Sequence, residues 1–440
     1  MTRWIEISAP SIAAEDALLA VYSSARPFLL EGSPQLVGDG LGRFSYVGCD
    51  PLARFSVVDK DGKDAWSRFS TWLARHAGPE SVPAMVGFAS YEAARYAFPS
   101  LLRPRFADLD VPLLDWAYYG ALFRRDEATG TCVVLAQDRE QGERLLGKLE
   151  EVRRGGALMP TALAPIIFSS ACSDEEYLGR VVRVIDYLVA GDAYQVNLTQ
   201  QLRAPLALGD ALLAYLALRR RFPAPLGGFL LSGDVALLGN SPELLLRRRG
   251  DHVESRPIKG TSHRGVNPAE DEANAQALLH SMKDAAEHVM IVDLVRHDLG
   301  VLAEIGSVRV DQMMRLLSLP TVHHLVSTVV ARVSTSVDTA RLLAAMLPGG
   351  SVTGAPKRRA MQIIDELEGR ARGVYCGAFG WIAPNGDCDL ALPIRTAVAI
   401  RGELVLGVGG GIVVDSNPEA ELAEWRLKAS AFLRALGSSG

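Results

Sequence analysis

The sequence predicts an α+β fold built on antiparallel sheets. Two kinds of signal carry that expectation. Asn385-Gly386 lies between strand-like runs at 377–383 and 387–394, and Arg401-Gly402 divides runs at 397–401 and 404–408. Two-residue turns of this type join antiparallel neighbours, which argues against a doubly wound parallel sheet. Helices announce themselves separately by their caps: Ser173 with Glu176, Asn267-Pro268 and Asn417-Pro418. At 440 residues the chain is also long for one ordinary core, so two large regions are expected.

Composition narrows the class. With 48% hydrophobic and 22% charged residues, the chain reads as soluble and globular. A net charge of −5 lacks the basic footprint of a nucleic-acid binder. No uncharged apolar run is long enough to span a bilayer, and Met1 to Glu6 has no signal-peptide character. The five cysteines are scattered without a CxxC pair, so neither a disulfide framework nor a zinc site is expected. These observations predict a cytoplasmic protein with no nucleic-acid or membrane partner.

In chain order, residues 1–154 form a first region of mixed strands and helices. Arg43 to Val47 alternates like a half-buried strand. A helix over 139–154 ends at Gly155-Gly156, and Pro160 and Pro165 follow, which marks 155–168 as a linker to a second region at 169–437. The helix opened by Ser173 carries an apolar stripe of Tyr177, Val181, Val184, Ile185 and Leu188, and Gly191 ends it. Two β-type runs, 236–239 and 244–255, precede Ser255-Arg256-Pro257-Ile258-Lys259-Gly260-Thr261. The second strand is expected to end at Lys259, before the polar loop 262–265. Gly260 lets a ligand approach the backbone, and an amine desolvated beside it becomes nucleophilic.

The helix begun by Asn267-Pro268 is expected to carry Asp284 and Glu287. The one begun by Asn417-Pro418 is expected to carry Glu421 and Glu424. Each pair is spaced i, i+3, on one helix face. If the two faces met, their oxygens would suit Mg²⁺. Residues 325–332 read as a strand, and 351–354 leads into a helix opened by Pro356. Gly349 to Gly354 with Lys357 misses the phosphate-loop pattern, because Ala355-Pro356 intervenes. Gly407-Val408-Gly409-Gly410-Gly411 lacks the last glycine and the helix of a dinucleotide fingerprint. It is better read as backbone N–H groups able to hold an anion. The histidines show no HExxH spacing.

The Pro257-Ile258-Lys259-Gly260-Thr261 stretch resembles a signature of the chorismate-utilising enzymes, specifically their aminodeoxychorismate synthase component I branch. The likeness continues through Tyr194 to Leu198, Ser241-Pro242-Glu243, Ala286-Glu287-His288, Asp293 to Arg296, His323 to Ser327, Thr353 to Lys357, Ile394-Arg395-Thr396 and Gly409 to Gly411. It implies the chorismate-binding fold, with antiparallel sheets and helices around a central cleft. Conversion of chorismate and ammonia to 4-amino-4-deoxychorismate, for 4-aminobenzoate and folate, is implied with it. It implies that Glu287 and Glu424 hold Mg²⁺, with Asp284 and Glu421 in outer or water-mediated positions. Glu243 is the implied acid at the departing hydroxyl, and Lys259 the amine that attacks the ring. His324 is placed with these catalytic residues. Arg395, Gly409, Gly410, Gly411 and Lys428 are implied to hold the enolpyruvyl carboxylate, and Gly260, Thr261, Ser351 and Trp381 to line the pocket. Trp381 stands where Tyr is frequent, and Asp284 where Glu is frequent.

Phe28 to Gly32 and Gly42 to Pro51 resemble the N-terminal region of anthranilate synthase large subunits, with Gly32 replacing the serine of a Leu-Leu-Glu-Ser segment that helps form a tryptophan feedback pocket. No glutaminase motif is present in the sequence, so the resemblance implies ammonia from a separate glutamine amidotransferase subunit and a downstream lyase acting on the product. Anthranilate synthase component I and a non-catalytic chorismate-binding relative are the alternatives. Lys259 argues against the first, whose members usually have Ala there, and the retained Glu243, acidic residues and Arg395 argue against the second.

Overall fold

The computed structural model describes residues 4–33, 40–98, 109–156, 163–319 and 322–437. Two large antiparallel sheets dominate it, with helices packed outside. The first sheet runs Ile5–Ser8, Cys132–Ala136, Ala121–Asp126, Phe44–Gly48, Phe28–Leu30, Leu226–Ser232, Val235–Ser241, Thr396–Ile400, Glu403–Ile412, Gln195–Pro205 and Gly354–Ala355. The second runs Ile258–His263, Val322–Arg332, His252–Arg256, Leu244–Arg249, Cys388–Ala391, Ala378–Ile382, Met85–Ala89, Leu114–Tyr118 and Ala53–Val57.

Both sheets run across the 155–168 segment. Phe28–Leu30 pairs with Leu226–Ser232, and Met85–Ala89 pairs with Ala378–Ile382. Every residue of Phe28–Leu30 and of Met85–Ala89 is buried, so these strands have both faces covered. The two regions expected from the linker signal therefore share their sheets. The sheets also touch face to face: a Cβ on Gly228 would stand 2.7 Å from the Phe379 ring.

The local signals hold where the hydrogen bonds are local. Ser173 accepts from the Glu176 N–H and opens the helix Asp174–Val189, whose Tyr177, Val181, Val184 and Leu188 are buried. Asn417 accepts from the Ala420 N–H and opens Pro418–Ala435, which carries Glu421 and Glu424. Arg401 (φ 52°) and Gly402 (φ 79°) make the left-handed turn expected between Thr396–Ile400 and Glu403–Ile412.

Three expectations change. The 244–255 run is a hairpin, Leu244–Arg249 and His252–Arg256, turned at Gly250 (φ 60°). The Asn267-capped helix Pro268–Leu279 stops before the acidic pair. Ser281 caps a second helix, Met282–Gly300, by accepting from the Asp284 N–H, and this helix carries Asp284 and Glu287 in its first turns. Lys259 lies inside a strand, Ile258–His263, rather than at a strand end. Among the described residues no helix is long and apolar enough to cross a membrane.

Candidate active site

The site begins with a bulge. Strand Ile258–His263 pairs with Val322–Arg332 at Ile258↔Val326 and again at Thr261↔His324, and the register slips between them. The extra residue is accommodated at Gly260, whose φ of 90° favours glycine. The bulge turns Lys259 toward the helix Met282–Gly300, where its Nζ pairs with Glu287 Oε2 at 2.7 Å. The neighbouring residue locks this arrangement. His288 Nδ1–H donates to the Lys259 carbonyl (2.9 Å), and its Nε2 accepts from Ser327 Oγ (2.6 Å). Burial keeps the His288 pKa below its ordinary value, so the ring is neutral, as this pattern requires.

Glu243 lies between strands Val235–Ser241 and Leu244–Arg249 and is buried. Its Oε1 accepts from Ser351 Oγ at 2.7 Å. Burial pushes its pKa up to about 7, against the Ser351 hydroxyl, the Ile258 N–H and the Lys259 charge. A carboxyl that remains partly protonated near neutrality suits a proton donor.

His324 is also buried, with Nδ1 2.9 Å from Thr261 Oγ1 and Nε2 3.4 Å from the Arg395 guanidinium. Burial, reinforced by the Arg395 charge, lowers its pKa to about 3. The ring is neutral at physiological pH. Since a guanidinium only donates, Nδ1 carries the proton. This geometry orients Thr261 and Arg395 and does not supply a labile proton. Burial lowers the Arg395 pKa, and no carboxylate among the described residues pairs with it. A half-buried guanidinium without a counter-ion is a natural anion acceptor.

Gly409, Gly410 and Gly411 pair with Thr199, Leu198 and Asn197 on one edge of Glu403–Ile412. On the other edge, pairing with Thr396–Ile400 stops at Ala397↔Leu406, so the glycines lie beyond it. Lys428 Nζ donates to the Gly409 carbonyl (3.1 Å) and pairs with Glu424 Oε1 (2.7 Å). A Cβ on Gly411 would stand 3.3 Å from Lys259 Nζ, and one on Gly410 would stand 3.5 Å from Glu421 Oε2. The glycine strand thus runs beside both Lys259 and the helix that carries Glu421 and Glu424.

Burial works against the Glu424 charge, yet Lys428, followed by Lys259 and Lys283, holds its carboxyl below the usual range. Glu421 moves the other way, raised by burial and by repulsion from Glu424 despite a 2.7 Å bond from Ser416 Oγ. Asp284 is engaged by Ser281. Among the described residues no three acidic, histidine or cysteine side chains are gathered around one point that could hold a metal ion. Glu287 and Glu424 nevertheless share the Lys259 charge and offer hard anionic oxygens. That donor set fits Mg²⁺ bound by two carboxylates, with water and substrate completing its shell. Asp284 accepts from the Ser281 hydroxyl that caps its own helix.

A profile described as chorismate binding enzyme matches residues 32–434. The chain belongs to the chorismate-binding enzyme family. Aminodeoxychorismate synthase component 1 of Salmonella typhimurium is 46% identical over 261 residues, a match covering 59% of this chain and 57% of that protein. The enzyme of the same name from Bacillus subtilis is 34% identical, covering 90% and 89%. Anthranilate synthase component 1 of Thermus thermophilus is 40% identical, also covering 90% and 89%. Among solved structures, anthranilate synthase component I of Streptococcus pneumoniae superposes with a TM-score of 0.78 at 28% identity, covering 89% of this chain and 92% of that one.

One placement in this family member departs from the sequence reading. Trp381 stands in the strand Ala378–Ile382, opposite Asp389 on one side and Val86 on the other. It lines a separate cavity with Leu30, Glu31, Phe44, Tyr46 and Arg249, and the Arg249 guanidinium lies 5.0 Å from its ring centroid. Gly32 lies near this cavity under close backbone contact; a Cβ there would stand 2.6 Å from the Gly42 carbonyl oxygen, which excludes a serine in this geometry. Gln195 was legible only as part of a motif block. It is fully buried, and neither amide atom has a hydrogen-bond partner among the described residues. Its Nε2 would be 2.7 Å from a Cβ on Gly411. The available signal was a polar residue at a buried position of the 195–205 strand.

Proposed function

We propose that this chain converts chorismate and ammonia to 4-amino-4-deoxychorismate, with ammonia supplied by a separate glutamine amidotransferase subunit. The observation that carries the reading is Lys259 on its glycine bulge, 2.7 Å from Glu287 and within the electrostatic reach of the near-neutral Glu243. Arg395 and the free edge at Gly409 to Gly411 would hold one substrate carboxylate, with Lys428 beside them. Glu287 and Glu424 would hold Mg²⁺, which when bound supplies positive charge for the other carboxylate.

In the proposed sequence the free amine of Lys259 forms a C–N bond at the second ring carbon. Both conjugated ring double bonds shift, and the hydroxyl leaves the fourth carbon as water with the proton from Glu243. Ammonia then adds at the fourth carbon and gives a proton back to the Glu243 carboxylate, the two double bonds return, and the Lys259 C–N bond breaks to release the amine. His324 stays neutral and fixes Thr261 and Arg395. The product keeps its enolpyruvyl group, so a downstream lyase is needed to reach 4-aminobenzoate for folate.

The likeness to the Thermus thermophilus enzyme favours a second reading, anthranilate synthase component I. Product analysis separates the two. Incubation with chorismate, Mg²⁺ and ammonium is expected to give aminodeoxychorismate, and release of anthranilate with pyruvate would replace the assignment. No turnover at all would favour a chorismate-binding relative without activity. Glutamine is expected to replace ammonium only when a second protein is added.

A further inference from the structure

We propose that the buried Arg372–Glu368 pair is a positioning clamp that holds Ser351 against Glu243 and fixes the strand that backs Gly409 to Gly411. This inference rests on Glu243 being the proton donor of the proposed reaction.

Arg372 is almost wholly buried, and its guanidinium makes four hydrogen bonds to three partners. Nε and Nη2 form a fork on Glu368, at 2.9 and 2.6 Å. Nη1 donates to the Val352 carbonyl at 2.7 Å, and Nη2 also donates to the Asn197 carbonyl at 2.8 Å. Glu368 in turn accepts from the Thr199 N–H at 2.8 Å. The pair therefore ties down two segments. Val352 follows Ser351, the hydroxyl bonded to Glu243. Asn197 and Thr199 are the partners of Gly411 and Gly409. The Asn197 N–H donates to the Thr353 carbonyl at 2.8 Å, closing a loop between the two segments. From the first region, Glu92 accepts from the N–H groups of Arg372 and Gly373, at 2.7 and 3.1 Å.

Among the described residues no hydrogen bond or ion pair joins Arg372 or Glu368 to Lys259 or Glu243, so the pair's action is indirect. A rigid planar fork suits the task, because its donors are fixed relative to one another. Arg372→Lys would keep the charge and lose that geometry. The 350–352 turn would then relax, and Ser351 would lose its alignment with Glu243.

The test follows the titration of the Glu243 carboxyl by infrared difference spectroscopy, with Glu243→Gln assigning the band. No turnover is involved, so the result does not depend on which product the enzyme makes, and failure of the clamp is distinguishable from failure of the reaction assignment. The groups facing Glu243 are the Ser351 hydroxyl, the Ile258 N–H and the Lys259 ammonium. Ser351→Ala removes a bond to the ionised form and should raise the midpoint by about one pH unit. Arg372→Lys should raise it by a similar amount, and the double variant should move it no further. A wild-type midpoint in Arg372→Lys, or additive shifts in the double variant, would overturn the clamp. If Arg372→Lys does not fold, Glu368→Gln keeps the volume and one acceptor while weakening the same fork. It should shift the midpoint in the same direction, and an unmoved midpoint there overturns the proposal equally.

Discussion

Replacing Glu243 by glutamine should stabilise the protein at alkaline pH while removing its activity. The carboxyl titrates near its ordinary value of 4.5 in the unfolded chain and at about 7 in the fold. Between those values the folded state binds the proton more tightly, so stability falls as pH rises through the window. Above pH 7 the ionised, buried carboxylate makes folding ~3 kcal/mol less favourable than at pH 4. Glutamine retains an acceptor for Ser351 and the Ile258 N–H and carries no charge. Some of the gain is lost because its NH₂ needs a partner, leaving about 1–2 kcal/mol in favour of the variant at pH 8. For a chain of this length that is a Tm increase of ~1–2 °C over wild type. At pH 5 the difference should vanish or reverse. Paired melts of both proteins at the two pH values measure it. Glu92, also buried with a pKa raised to about 7, is present in both chains and cancels. Turnover should fall by roughly 10²–10⁴ at all pH values. A variant-minus-wild-type difference equal at pH 5 and pH 8 would refute the raised pKa. Wild-type turnover in Glu243→Gln would refute the role.

Three further outcomes are expected. Chorismate and Mg²⁺ without ammonia should leave an adduct on Lys259, located by peptide mass mapping; Lys259→Ala should lose it and slow by ~10² or more, and an unmodified wild-type chain would count against covalent catalysis. Glu424→Ala should raise the Mg²⁺ concentration needed for half-maximal rate, while full activity after EDTA treatment and desalting would defeat the metal assignment. Gly411→Ala would bring a methyl 2.7 Å from Gln195 Nε2 and 3.3 Å from Lys259 Nζ. Overpacking of ~1–3 kcal/mol should lower kcat/KM by roughly 10- to 100-fold with an unchanged circular dichroism spectrum, and a wild-type kcat/KM would show that the site relaxes around it.

What the sequence determined by itself was what short-range hydrogen bonding encodes. The caps at Ser173 and Asn417, the Arg401-Gly402 turn and the antiparallel class all depend on bonds within a few residues, and their side chains announce them. The motif blocks likewise carried the family, because they preserve residue types at fixed spacing. Even local signals can compete: Asn267 does open a helix, yet Ser281, fourteen residues later, opens another, and only the second carries Asp284 and Glu287. The tertiary structure decided the rest. Lys259 meets Glu287 because a register slip against Val322–Arg332 turns it toward a helix. Strand alternation shows that Trp381 has a face to choose but not which face lies over the site, and the fold placed it in another cavity. Gln195 and Arg372 gained their meaning only when segments far apart in sequence were brought together, since burial raises the energetic weight of an unpaired amide or a forked ion pair, and burial is a property of the assembled sheets.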